Sequence, residues 1–104
     1  MSDPAHKEPL GKDQWHLLPW RAARSAVRAF MAGNRSYEPG SWRRTPGWRD
    51  AYFDAAVRHL VAWYEGESID PQSGEHHLGH AIACLAILFE REHAPPAPPP
   101  TSIP

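Results

Sequence analysis

Cysteine is nearly absent from this chain. The single Cys84 has no partner to pair with, which excludes an internal disulfide and fits a reducing compartment. An excess of either charge is also lacking: eleven Lys and Arg stand against twelve Asp and Glu, giving a net charge of −1. Bulk electrostatics therefore give no pointer to nucleic acid or to an anionic membrane. Long apolar runs are missing. The longest covers residues 81–89, far short of the ~20 residues a membrane-spanning helix requires. The first fourteen residues are polar and lack the apolar stretch of a secretory leader, so a cytoplasmic location is expected.

A length of 104 residues allows one domain. We divide it into a flexible arm (1–14), a helical domain (15–93) and a proline-rich tail (94–104). The tail, APPAPPPTSIP, favours polyproline II and cannot pack a core. Its composition is that of a disordered segment, with an SH3-type ligand as the alternative.

Two residue types are abundant. Five tryptophans fall in the first two-thirds of the chain, and four of seven histidines (His59, His76, His77, His80) lie in one stretch. Hydrophobic periodicity predicts an all-α fold, a small bundle of three main helices over 19–32, 48–65 and 74–91. In the first, Trp20, Ala23, Val27, Phe30 and Met31 share a face, beside a solvated ridge of Arg21, Arg24 and Arg28. Gly33 and Asn34 suit its end. The second presents Tyr52, Phe53, Ala56, Val57, Leu60, Val61 and Tyr64 as a core stripe, with His59 at its edge. The third is apolar all round from 81 to 89, and Ser73 is the expected cap before it. Three helices cannot cover such a helix, and a core of this size contributes only a few kcal/mol. Completion by a homo-oligomer is expected. Between the first two helices lies a loop rich in Gly, Pro and Ser, carrying Tyr37, Trp42, Arg35, Arg43 and Arg44.

His77, His80 and Cys84 are spaced i, i+3, i+7 and occupy one stripe of the third helix. A short connection makes the second and third helices antiparallel neighbours. His59, Glu67, Asp70, His77 and His80 can then converge and hold a divalent metal ion. Imidazole with carboxylate suits Mn, Fe, Co, Ni or Zn better than Mg. Arg58, Arg43 and Arg44 can meet phosphate oxygens, and Tyr37 or Trp42 can stack on a base. Alternatives stand beside this. A histidine on a core edge is usually a hydrogen-bonded structural residue. His59, His77, His80 and Cys84 could instead form a closed structural zinc tetrad, and Cys84 could simply be a small buried hydrophobe.

Arg58-His59-Leu60, Ala62-Trp63, Gly66-Glu67, Ile69-Asp70, Ser73-Gly74, His77-Leu78 and His80-Ala81, preceded by Tyr37, Trp42 and Asp54-Ala55-Ala56, resemble a bacteriophage family. It is the N-terminal domain of dATP/dGTP diphosphohydrolases, which in larger members precedes a MazG-like pyrophosphohydrolase domain. The resemblance spans residues 17–89. The clustered Glu and Asp array with which MazG-like enzymes hold Mg has no counterpart here. Ser36 and Cys84 stand where the family tends to have lysine and asparagine. The resemblance implies a metal-dependent nucleoside triphosphate pyrophosphohydrolase of phage nucleotide metabolism, with a purine deoxynucleotide as substrate. A non-catalytic nucleotide- or metal-binding module, or a small phage protein that binds a host protein, are the alternatives.

Overall fold

The computed structural model describes residues 11–94. Most of the expected arm and tail therefore lies outside the described residues. Within them are three α-helices, α1 (Trp20–Gly33), α2 (Trp48–Tyr64) and α3 (His77–His93). Two short 3-10 turns, Trp15–Leu17 and Ser41–Arg43, precede α1 and α2. No strand occurs among the described residues; a single antiparallel bridge joins Ile69 to His76. The fold is the expected all-α bundle.

Local chemistry explains the helix limits. Pro19 is extended and sits just before α1. Gly47, at φ +64°, turns the chain into α2. At the far end of α2, Gly66 adopts φ +106°, Gly66 N–H donates to Trp63 O, and Glu67 N–H donates to Ala62 O. This paired C-terminal cap favours glycine at the left-handed position, and it delivers Glu67 directly into the connection. There Asp70 N–H donates to Glu75 O and His77 N–H to Ser68 O, so the chain turns back at 71–74 and is extended at His76. For that reason α3 starts at 77 rather than 74, and its cap is His76, whose Nδ1 accepts from Leu78 N–H, rather than Ser73.

Helix α3 lies in the middle, packed against α1 on one side and α2 on the other. The buried apolar residues are small apart from Ile87: Ala26, Ala29 and Ala32 of α1, Ala56 of α2, and Ala81, Ala83 and Cys84 of α3 accompany it. Two expected core stripes are thereby corrected. Trp20, Val27 and Met31 are exposed, because α1 turns its alanine face to α3. That face admits close approach: a Cβ at Gly79 would stand 2.7 Å from the backbone oxygen of Ser25. Phe53, Val57, Leu60, Val61 and Tyr64 are exposed as well. Among the described residues helix α2 packs on one helix, α3, and the side it buries is that of Ala56 and His59. The third helix is likewise open along Ile82, Leu85 and Phe89.

Candidate functional site

Between α1, α2 and the 34–42 loop, over the surface of α3, lies a cleft of about 610 Å³. That volume is within the ~300–1,000 Å³ typical of small-molecule sites. Phe30, Tyr37, Trp42 and Tyr52 supply its aromatic lining, and Arg35 and Arg58 its basic groups. His59, Asp70, His77 and His80 line it too.

Three of these bring ligand atoms together. One atom each from His59, Asp70 and His77 lies within 4.8 Å of the others. His59 comes from the buried side of α2 and His77 from the first turn of α3, and Asp70 is fixed by the connection. One Asp70 oxygen, Oδ1, accepts Gln72 N–H at 2.9 Å, and its backbone oxygen accepts Gly74 N–H at 2.7 Å. Gly74 has φ +77°, which that tight turn requires.

The tautomers follow from the partners. His77, 5 % exposed, meets Glu67 Oε1 through Nε2 at 2.7 Å. A carboxylate accepts, so Nε2 carries the proton, and a neutral His77 ring has its Nδ1 lone pair facing His59 Nδ1 at 2.9 Å. That contact is a hydrogen bond when His59 Nδ1 is protonated. It is also near the ~3.0 Å between nitrogen ligands set at right angles on one ion, at bond lengths of about 2.1 Å. A ligating imidazole whose second nitrogen donates to a carboxylate is the usual arrangement at metal sites. Two imidazoles and one carboxylate form a donor set suited to divalent transition ions, so the residues present fit such an ion.

The remaining two expected ligands fall outside this three-residue cluster. Glu67 bonds the far nitrogen of His77, where it orients the ring. His80 stacks on His59 at 4.5 Å between ring centroids, and its Nε2 lies 2.6 Å from Ser73 Oγ and 3.8 Å from Asp70 Oδ2. Burial first, then the His80 and His77 rings, push His59 down to about 4. Burial also lowers His80, against the opposing pull of Asp70. Both rings are therefore neutral near pH 7. Burial raises the Cys84 thiol to about 11. Cys84 lines the cleft but is not in the three-residue cluster.

Of the expected substrate contacts, Tyr37, Trp42 and Arg58 line the cleft. Arg43 does not; its guanidinium lies 4.3 Å from the centre of the Trp42 ring and covers it. Arg91 donates to Arg43 O and so ties this loop to the end of α3. Sequence reasoning missed Phe30, Tyr52, Gln72 and Ser73 as lining residues. It also missed the bond from Arg35 Nη2 to Ser73 O at 3.1 Å, which joins the loop after α1 to the α2–α3 connection. Arg28, read as part of a solvated ridge, pairs with Glu75 at 3.0 Å and makes a second such tie. No short-range signal marks contacts made across 38 and 47 residues.

Fold and site together define a small helical domain with a two-histidine, one-carboxylate set in an aromatic-lined cleft. The chain belongs to the dATP/dGTP diphosphohydrolase N-terminal family, whose model matches residues 2–97, and this is the family its residues resemble. No curated protein and no solved structure matches the chain. The family places the chain among proteins related to nucleotide hydrolases. Among the described residues, no helix is long and apolar enough to cross a membrane.

Proposed function

We propose that the cleft binds a purine deoxynucleoside triphosphate together with a divalent metal ion and hydrolyses it to the monophosphate and pyrophosphate. The observation that carries this reading is the convergence of His59, Asp70 and His77 in one cleft with Trp42, Tyr37, Arg35 and Arg58. The family description supplies the substrate class. In this reading Trp42 and Tyr37 stack on the base. Arg58 and Arg35 meet phosphate oxygens, where the planar guanidinium is well matched. His59, Asp70 and His77 hold the ion, with Glu67 fixing the His77 ring. When bound, the ion would polarise a phosphoryl oxygen and make a coordinated water more acidic. In this reading His80, neutral and lining the cleft, takes a proton from water there, with Ser73 Oγ holding its Nε2. The family resemblance supports a phage protein acting in the cytoplasm of its host.

A second reading, a module that binds nucleotide and metal without turnover, is favoured by the acids of the cleft. Among the described residues its lining holds two acids, Asp70 and Glu38, far from the carboxylate array of MazG-like enzymes. One experiment separates the two. Purified protein is analysed for metal and incubated with each dNTP while pyrophosphate is measured. Pyrophosphate release from dATP or dGTP that His77→Ala abolishes, with helix content kept, supports the enzyme. Metal and nucleotide binding without release supports the module. Neither metal nor nucleotide binding removes both.

A further inference from the structure

We infer that the side of α2 and α3 turned away from the cleft is the interface of a two-fold dimer of this chain. On α2, Phe53, Val57, Leu60, Val61 and Tyr64 recur at helical spacing, and on α3 so do Ile82, Leu85 and Phe89. At 3.6 residues per turn, the α2 set lies on the flank opposite Arg58 and Ala62, which line the cleft. The α3 set lies opposite His80, Ala83 and Ile87, which line it as well. The two stripes therefore share one face of the antiparallel α2–α3 pair.

That face is extensive. Tyr64 is 84 % exposed, Phe89 65 %, Phe53 60 % and Leu85 54 %. At about 150–250 Å² per large side chain, the eight residues leave roughly 800 Å² open. The largest apolar patch of an ordinary monomer is about 300–600 Å². Roughly 800 Å² is what one partner contributes to a standard interface of about 1,600 Å².

A second copy is the occupant that fits. Two antiparallel helices with a shared apolar face are half of a four-helix bundle. Two such halves close it across a two-fold axis with the same patch on both sides. The eight positions are all uncharged, and the exposed charges on the same face, Asp50 and Glu92, lie at its end, where the rim of an interface is polar. Closure in this way leaves both clefts on the outer faces of the dimer, open to ligand.

The test is sedimentation of the full chain across the micromolar range. The expected mass is twice the 11.7 kDa of one chain. Phe53→Glu combined with Leu85→Glu should raise the dissociation constant at least about 100-fold, with the helical circular-dichroism signal retained. If the glutamates unfold the chain, Phe53→Ala with Leu85→Ala provides the measurement, with weakening of about 10-fold or more. A wild-type monomer at high micromolar concentration overturns the proposal. So does a dimer that both double variants leave unchanged.

Discussion

Replacing Gly79 by alanine should loosen the seam on which the cleft depends. Gly79 sits between His77 and His80, where α3 crosses the backbone of α1. The added Cβ would stand 2.7 Å from Ser25 O and 2.9 Å from Ser25 C, where ordinary contact begins at 3.4 Å. Those are backbone atoms, so no rotamer change relieves them, and the helices must separate by roughly half an ångström or more. Overpacking of this kind costs about 1–3 kcal/mol, at the upper end when backbone must move. The better helix propensity of alanine returns up to about 1 kcal/mol. The net loss is about 1–2 kcal/mol, or a melting temperature lower by about 5–15 °C for a domain this small. Thermal denaturation followed by circular dichroism measures it. The added Cβ also runs into Ser25 Oγ; adding Ser25→Gly removes that clash and leaves the one with the carbonyl, so rescue should be partial. A Gly79→Ala protein that melts at or above the wild-type temperature would refute the close-packing account of α1 on α3.

Glu67→Gln removes the charge from the acceptor of His77 Nε2–H and should weaken metal binding by about 10–100-fold with helix content unchanged; a titration with unaltered affinity would show that Glu67 does not act through His77. Because the folded His59 ring titrates near 4 rather than at 6.5, the unfolded chain binds its proton first as pH falls. Stability should be full above 6.5 and decline toward about 4, with His80 acting in the same direction; urea midpoints through that window should fall with pH, less steeply in His59→Gln, and a rise on acidification would contradict the neutral-ring assignment. Trp42→Ala should cost about 1–3 kcal/mol of nucleotide affinity if the ring stacks on the base, read by calorimetry. An affinity within twofold of wild type would place the base elsewhere in the cleft.

The sequence by itself determined the helices, the family and the neighbourhood of the site. Periodicity marked α1 and α2 almost to the residue. The histidine stretch and the short α2–α3 connection placed His59 beside His77, because chain geometry forces an antiparallel pair to meet near its turn. Tertiary structure decided which side of each helix faces inward. Large apolar residues on α1 and α2 looked like core, yet Gly79 and the alanines draw α1 in on its small face. Helix α2, packed on α3, buries Ala56 and His59 and leaves Phe53 and Leu60 outside. Division of labour among the site residues was also a tertiary matter. Glu67, Asp70, His77 and His80 are equivalent as letters. Only the hydrogen bonds of the folded turn set Asp70 toward the paired rings, Glu67 behind His77, and His80 against Ser73.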